Sequence, residues 1–330
     1  MNDNVIPNGI RRQSLYLRYY EEYRERRYLA DASDEEVMQR ARDLMQNIAT
    51  LGADGKIGAT PVDERDGFFL WRLVSHVFEE SRLRTGDYRG LFAKYGLGDV
   101  HIPKPTYPAS PASPQVLKLA ADTADQKCIF KFGTQARLQD LLENGRLRVA
   151  PASLYNDVSL GHAIQDDELS YDLASPTFEA DIKSLDPFKV RLSETFGPLQ
   201  ATRLRATSTT NYYVWCMTCR LDVRLFDDFG ADAVLIIREP GIFAEKFLMA
   251  IREQLSGWIF APCAVNYFDP FHPTTDAKSV FRSKHFKYMY QRELRFVFLP
   301  PSPILVLEPI FLELGPLSSI ASLVNRQDAA

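Results

Sequence analysis

The chain has 330 residues, of which 45% are hydrophobic and 25% charged, so it is long enough for two domains or one large core. Its formal net charge of -4 argues against a protein that holds nucleic acid by bulk charge, while a local basic patch stays compatible with that value. With only four cysteines, no signal-peptide pattern at the N-terminus and no apolar run near the roughly 20 residues that span a bilayer, the sequence predicts a cytoplasmic protein without a membrane segment.

The first hundred residues predict a helical N-terminal domain, residues 1–100. Ser33 and Glu36 form the pattern of a capping box, and apolar residues follow at helical spacing. A second apolar helix is predicted over residues 63–84. Before both, residues 14–28 interleave arginine with tyrosine, which is typical of a surface that stacks on nucleic acid. Glutamates dilute that charge and suggest pairs such as Glu22 with Arg26, so a helix that binds a protein partner is the preferred interpretation.

Residues 101–116 predict a stiff linker, because five prolines with small polar neighbours cannot form a helix or a central strand. We place a domain boundary there. In residues 117–330 strands and helices interleave without a regular βαβ order, which predicts an α+β architecture with a mixed β-sheet.

The elements predicted after the linker follow in chain order. Strands are predicted over residues 128–132, 147–150, 211–219, 233–238, 259–267, 293–298 and 304–307. Helices are predicted over residues 134–142, 242–255, 279–288 and 317–324. Residues 156–205 are polar, rich in acidic side chains and without a clear period, so we predict a solvated loop or short helices there.

The most informative segment lies close to the C-terminus. Leu294, Phe296 and Phe298 alternate with Glu293 and Arg295, so a strand here has one apolar face and one face that carries a carboxylate and a guanidinium. Such a pair is commonly a solvated ion pair that contributes little to stability. The alternative is that Glu293 accepts hydrogen bonds from a sugar hydroxyl and stabilises a developing oxocarbenium ion.

Two further polar signals lie beside apolar strands. Lys131 lies inside the first of these strands, two residues before Gly133; its stem can reach out of a core, or its amine can contact a ligand phosphate. Tyr155, Asn156 and Asp157 form a polar turn whose side chains often bond their own backbone. Equally, Tyr155 could stack on a planar ring while the amide and carboxylate fix its orientation.

Other motifs exclude several kinds of site. Cys216 and Cys219 have C-x-x-C spacing, but they lie in a strand without a second Cys/His pair nearby, so we predict packed thiols and no metal site. No G-x-S-x-G, Walker A or G-x-G-x-x-G pattern occurs.

The order of these signals resembles a bacterial family that looks like a divergent branch of the ADP-ribosyltransferase-like fold. Members share a Lys-aromatic first strand, a turn with Pro, an aromatic residue, Asn and Asp, and a late Glu-x-Arg strand. The matching segments, which span about residues 120–299, are residues 130–132, 151–157, 214–218 and 284–295.

The resemblance implies a split β-sandwich fold with NAD as its substrate. By the resemblance, Glu293 is the catalytic glutamate, and Gln291 precedes it in a Gln-x-Glu pattern. Lys131 takes the first-strand position that anchors NAD, where ADP-ribosyltransferases carry Arg or His, and Thr218 takes the middle-strand hydroxyl position. We expect Lys131 and Arg295 to contact the phosphates of NAD, and Tyr155 with Asn156 to lie around the nicotinamide. Asp157, the next residue of the same turn, is a further NAD-binding candidate.

The function expected from the resemblance is transfer of ADP-ribose to a macromolecular acceptor, protein or nucleic acid, or to water, in a toxin or phage-defence effector. The alternative is a module of the same fold without catalysis, which senses a nucleotide or docks a partner. Nicotinamide release from labelled NAD separates the two.

Overall fold

The computed structural model describes residues 8–51, 56–62, 65–98, 100, 122–123, 127–174, 190–196, 202–271 and 279–326. The predicted linker, residues 101–116, lies outside these ranges. Helices and antiparallel sheets both contribute, so the α+β class is confirmed.

The N-terminal part contains helices and one small hairpin. Its elements are α1 (Asn8–Arg26), α2 (Asp34–Ile48), β1 (Ala49–Leu51), β2 (Ile57–Ala59), α3 (Arg65–Thr85) and α4 (Gly90–Tyr95). The predicted capping box is present at α2, where the amide of Glu36 donates to Ser33 Oγ at 3.2 Å and the amide of Ser33 donates to Glu36 Oε2 at 2.7 Å. This cap satisfies orphan amides and fixes where α2 begins.

Helix α1 directs much of its polar surface at α3. Glu22 accepts a bond from Arg72 Nε at 2.9 Å, so it pairs between helices and not with Arg26 as the spacing suggested. Tyr23 donates its hydroxyl to Glu80 at 2.6 Å, and both residues are fully buried. Part of the Tyr- and Arg-rich segment therefore builds the interior of the helical layer.

The remaining described chain forms three sheets and their flanking helices. Its elements are β3 (Ile129–Gly133), α5 (Gln135–Asn144), β4 (Arg146–Pro151), a 3₁₀ helix (Ala152–Asn156), β5 (Ser170–Ala174), β6 (Val190–Phe196), β7 (Thr202–Ser208), β8 (Tyr213–Thr218), α6 (Arg224–Asp228), β9 (Ala233–Ile237), α7 (Pro240–Gln254), β10 (Ile259–Ala264), β11 (Asn266–Phe268), a 3₁₀ helix (Val280–Arg282), β12 (Ser283–His285), a 3₁₀ helix (Phe286–Gln291), β13 (Glu293–Leu299), β14 (Ile310–Glu313) and β15 (Ala321–Asn325). Strand β7 pairs with β5 and β6 in a sheet that lies mostly within residues 156–205, where we predicted a loop or short helices, so that prediction is wrong for these strands. Strand β11 pairs with β12.

The largest sheet divides at β8. Its strand order is β10-β13-β8-β3-β9-β15, and β13 pairs with every residue of β8. The other edge of β8 is shared between two strands. Pro151 of β4 pairs with Tyr213 at the start of β8, whereas Phe130 of β3 pairs with Thr218 at its end. Because β3 and β4 meet opposite ends of one edge, the sheet opens between them.

Aromatic side chains fill the core on one face of this sheet. Phe296 and Phe298, the predicted apolar face of β13, stack around Phe247 of α7 with ring centroids 5.1 and 5.4 Å away. Trp215 of β8 joins them from the next strand. The predicted end of α5 is confirmed at Gly145, which has φ 73° and where an added Cβ would lie 2.1 Å from the Gly315 carbonyl oxygen.

Three predicted elements are wrong, and each lies in the C-terminal third. Residues 279–288 form two 3₁₀ turns around β12, and residues 304–307 are irregular. Residues 317–324 contain β15 where we expected a helix, because Ala321 pairs with Ile237 at the edge of the main sheet. Tertiary pairing therefore decides these short apolar segments, since local propensity is a weak preference.

Helix α2 packs directly on the 3₁₀ helix that precedes β13. Asn47 donates to the Phe286 carbonyl and accepts from the amide of Tyr290, each at 2.9 Å. Arg40 forms an ion pair with Asp269, and both side chains are almost completely buried. The N-terminal helices therefore help to hold the segment that leads into Glu293.

Arg40→Ala is expected to lower the free energy of unfolding by about 3–5 kcal/mol, because Asp269 would be left buried without its counter-charge. Urea denaturation of the full chain measures this loss. Arg42→Ala is the control. Arg42 pairs with the exposed Glu35, so that change should cost less than about 1 kcal/mol. Equal losses of unfolding free energy in the two variants would show that the buried pair of Arg40 and Asp269 contributes no more than an exposed pair.

Candidate active site

A cavity of about 870 Å³ opens where β3 and β4 separate along β8. Helix α5, the segment around Ala163 and the start of β13 complete its wall. Much of the lining is apolar, with aromatic rings from Phe130, Phe132, Trp215 and Phe311. Its size and its mixture of rings with a few charged groups suit a small organic ligand.

Five of the eight residues predicted from sequence line this cavity. They are Lys131, Tyr155, Thr218, Gln291 and Glu293. Thr218 lies directly opposite Glu293 in the β8–β13 register. Residues that are far apart in the chain are therefore brought to one place by the divided sheet.

The other three predicted residues lie elsewhere. Asn156 and Asp157 are exposed and do not line the cavity. Asp157 accepts a bond from the Ser159 amide at 2.8 Å, which is the local turn contact typical of aspartate. Arg295 is 0% exposed and also does not line the cavity, so it cannot contact a phosphate there.

Glu293 is the first residue of β13 and is 6% exposed. It follows Arg292, whose φ of 45° turns the chain from the 3₁₀ helix into the strand. Its Oε1 accepts from Arg295 Nε at 2.6 Å, and its Oε2 accepts from Lys284 Nζ at 2.8 Å. Burial raises the pKa of Glu293, but the two cations outweigh burial and hold the pKa well below its usual range. The carboxylate is therefore ionised.

Glu168 brings a second carboxylate to the cavity. It is 4% exposed, and its oxygens lie 2.6 and 2.7 Å from the two terminal nitrogens of Arg295. Burial raises the pKa of Glu168 to about 7, although Arg295 acts in the opposite direction. One buried guanidinium thus lies between two carboxylates whose pKa values shift in opposite directions.

Lys284 completes the charged network. Its amine lies 2.8 Å from Glu293, 3.2 Å from the Gln291 amide oxygen, 3.7 Å from Asp166 and 3.9 Å from Glu168. Burial lowers the pKa of Lys284, but Glu293 and Asp166 raise it well above its usual value, so the amine is cationic.

The sequence reasoning assigned no role to Glu168 or Lys284. Glu168 belongs to an acidic run that looks solvated, and its contact with Arg295 joins residues 127 positions apart. Lys284 lay within a segment of the resemblance without a role of its own. A pattern that alternates in one strand cannot reveal partners from other segments.

Gln291 holds the cavity wall through both ends of its amide. Its Nε2 donates to the Ala163 carbonyl at 2.7 Å, while its Oε1 accepts from Lys284. Nearby, the Tyr288 hydroxyl donates to the Gln165 carbonyl at 2.6 Å. These bonds fix the segment that carries Glu168.

Lys131 lies at the opening between β3 and β4. Its amine donates to the Cys216 carbonyl at 2.7 Å and lies 5.1 Å from the centre of the Trp215 ring. Burial lowers the pKa of this amine below its usual value. The lysine thus satisfies a backbone acceptor of β8 at the point where β3 and β4 have separated.

Three exposed arginines contribute positive charge to the cavity lining. They are Arg137 of α5 and Arg146 and Arg148 of β4. The guanidinium of Arg146 also lies 5.1 Å from the centre of the Phe311 ring. Since β4 and β13 pair with opposite edges of β8, Arg146 and Arg148 come from a strand on one side of β8 and Glu293 from a strand on the other.

Comparison of the chain with protein-family models, with curated proteins and with solved structures finds no match. The resemblance to ADP-ribosyltransferase-like domains therefore stays a prediction from sequence. Within the described ranges, no helix has the length and apolar character needed to cross a bilayer. Among the same residues, no three His, Cys, Asp or Glu side chains are grouped so that they could hold a metal ion.

Glu168→Gln is expected to flatten the pH dependence of stability. With the pKa of Glu168 raised to about 7, the folded chain binds more protons than the unfolded chain between about pH 4.3 and 7. Its contribution therefore falls as the pH rises through that window, by on the order of 1 kcal/mol per pH unit. Urea unfolding at pH 5, 6 and 7 compares the slopes of the two proteins.

Glu293 provides the contrast, because its lowered pKa has the opposite sign. Its contribution is present above about pH 4.3 and is lost as the pH falls further. Glu293→Gln should therefore weaken the dependence on the acid side and change the slope between pH 5 and 7 less than Glu168→Gln does. Identical slopes in wild type and Glu168→Gln would exclude the raised pKa.

Proposed function

We propose that this chain cleaves the bond between nicotinamide and ribose in NAD and transfers ADP-ribose to a macromolecular acceptor or to water. One observation carries the proposal. Lys131, Thr218 and Glu293, which the resemblance assigned to a single NAD site, line the same cavity although they lie on three different strands.

Glu293 suits the reacting end of the ligand. Loss of nicotinamide leaves positive charge on the ribose, and an ionised carboxylate in a cavity with a mostly apolar lining stabilises that charge. A carboxylate has about four lone-pair positions, so Glu293 can accept a bond from a ribose hydroxyl while it keeps Arg295 and Lys284.

The arginines of the cavity lining suit the pyrophosphate. Guanidinium groups bind phosphate oxygens in a bidentate manner, and Arg137 and Arg148 offer two exposed ones. They replace Lys131 and Arg295 in this role, since Lys131 donates to the Cys216 carbonyl and Arg295 lies between two carboxylates. The phosphates would thus bind at the part of the cavity wall that α5 and β4 form.

Tyr155 remains the candidate for the nicotinamide ring. Its half-buried side chain lines the cavity near Glu168 and Glu293. Burial is the main cause that raises the pKa of the Tyr155 phenol, and the negative charges of Glu168 and Glu293 raise it further. A neutral phenol can stack on a planar cationic ring and also donate a hydrogen bond.

The engagement of the charged groups favours a second candidate, a nucleotide-binding module without catalysis. Both oxygens of Glu293 and both ends of the Gln291 amide already have partners. Such a module would bind labelled NAD and release no nicotinamide. The catalytic protein would release nicotinamide at a rate proportional to protein concentration.

Glu293→Gln is expected to lower the rate of nicotinamide release by about a hundredfold or more, because the amide carries no charge to stabilise the transition state. Chromatography of the products formed from NAD measures the rate. The variant should fold but be less stable than wild type, since Lys284 and Arg295 lose a shared counter-charge.

Glu253→Gln is the matched control, because it makes the same change on the exposed surface of α7. Circular dichroism and NAD titration of both variants separate lost chemistry from lost folding. A wild-type rate of nicotinamide release in a folded Glu293→Gln protein would exclude the catalytic role.

Arg148→Ala should raise the KM for NAD by about tenfold or more, because each charge-assisted contact to phosphate contributes roughly 1.5–3 kcal/mol. Nicotinamide riboside, which has the same reacting bond and no phosphate, provides the internal control. Its KM should not change. Arg252→Ala, on exposed α7, should leave both values as they are. Equal effects on the two substrates would argue against a phosphate contact.

A further inference from the structure

Transfer of ADP-ribose to a hydroxyl requires a group that removes the proton of the nucleophile. Glu293 is a poor proton acceptor, because its two cationic partners hold it strongly in the ionised form. Gln291, which precedes it in the Gln-x-Glu pattern, has an amide that cannot take a proton, and both ends of that amide are bonded. The Gln-x-Glu pattern therefore lacks a base.

We propose that Glu168, from the segment before β5, is the proton acceptor for the nucleophile, and that the nucleophile is a neutral hydroxyl of water or an alcohol. The inference rests on the proposed function. Glu168 and Glu293 both line the cavity and both bind Arg295, so the ligand would meet two carboxylates on one side. A carboxylate nucleophile has no proton to lose, so a proton acceptor beside the reacting carbon implies a nucleophile that is a neutral hydroxyl.

The position of Glu168 is fixed from several directions. Arg295 holds its two oxygens through both terminal nitrogens, and the Tyr212 hydroxyl donates to its backbone carbonyl at 2.5 Å. The Ser170 and Leu169 amides donate to Asp167, its neighbour in sequence, at 3.1 Å. A base must be held within reach of the proton that it removes, and this packing provides that rigidity.

The bond between ribose C1′ and the nicotinamide nitrogen breaks, and its electron pair neutralises the positive pyridinium. A bond forms between C1′ and the nucleophile oxygen. The proton of that hydroxyl passes to a Glu168 oxygen, and the resulting carboxylic acid then loses it to water. Glu293 stays an anion throughout and is restored without exchange of a proton.

Protonation of Glu168 should therefore control the rate near neutral pH. The charged groups that face it are Arg295 and Glu293 of β13, Lys284 of β12 and Asp166 of its own segment. Its charge also acts on five other titratable side chains of the surrounding strands and segments, Tyr155, Tyr212, Cys216, Cys263 and Tyr288. Burial is the largest influence and raises the pKa of Glu168 to about 7, which suits a base that works near that pH.

The test uses full-length protein, NAD and sodium azide, whose anion attacks carbon without losing a proton. Glu168→Gln should form ADP-ribose at least about a hundredfold more slowly than wild type at pH 7.5. The kcat of wild type should rise as the pH increases through about 7, and the kcat of Glu168→Gln should not show this rise. Azide should restore turnover of the variant by tenfold or more, with ADP-ribosyl azide as the product identified by mass spectrometry.

Two variants serve as controls. Azide should not restore the turnover of Glu293→Gln, because this variant has lost the charge that stabilises the transition state and still has its base. Asp166→Asn removes a neighbouring carboxylate that lies 3.7 Å from Lys284, and it should keep the rising limb of the pH profile. Thermal unfolding of each variant confirms that it is folded at the assay temperature.

The outcomes separate the inference from the function on which it rests. If wild-type protein releases no nicotinamide from NAD, the proposed function fails and the role of Glu168 fails with it. If wild type is active and folded Glu168→Gln keeps the pH limb or gains nothing from azide, only the role of Glu168 is overturned. If Glu168→Gln does not fold, Glu168→Asp is tested instead. If kcat of Glu168→Asp rises over the same pH range as kcat of wild type, the role of Glu168 as proton acceptor is overturned.

Discussion

The organisation of this protein depends on one buried guanidinium. Arg295 is 0% exposed, and two carboxylates from different parts of the chain, Glu293 and Glu168, neutralise it. A guanidinium without such partners would be very costly to bury. The segment before β5 must therefore lie against β13, and that contact places a second carboxylate in the cavity.

The helical layer contributes to the same arrangement from the other side. Asn47 of α2 bonds both the start and the end of the 3₁₀ helix over Phe286–Gln291, which leads into Glu293. Gln291 then holds the wall segment near Ala163. A chain of side-chain to backbone bonds thus links α2 with the wall of the cavity.

The sequence predicted those features that depend on local pattern. Alternation in β13 placed Glu293 and Arg295 on one face and Phe296 and Phe298 in a core, because side chains of a strand point to opposite faces. The same alternation could not show that the polar face is also buried. It is buried because residues from the segment before β5 cover it, and the polar composition of that segment suggested a solvated loop. Arg295 was therefore assigned to a ligand when its partner is Glu168.

Two carboxylates that share a guanidinium would be equivalent in water, and their surroundings make them different. Glu293 has a second cation, Lys284, at 2.8 Å, whereas the amine of Lys284 lies 3.9 Å from Glu168. Burial therefore dominates at Glu168 and raises its pKa, while at Glu293 the two cations prevail and lower it. Opposite shifts in neighbouring acids are the usual physical basis for a division between a permanent anion and a group that exchanges a proton. The position of one lysine thus determines which of the two carboxylates can take each role.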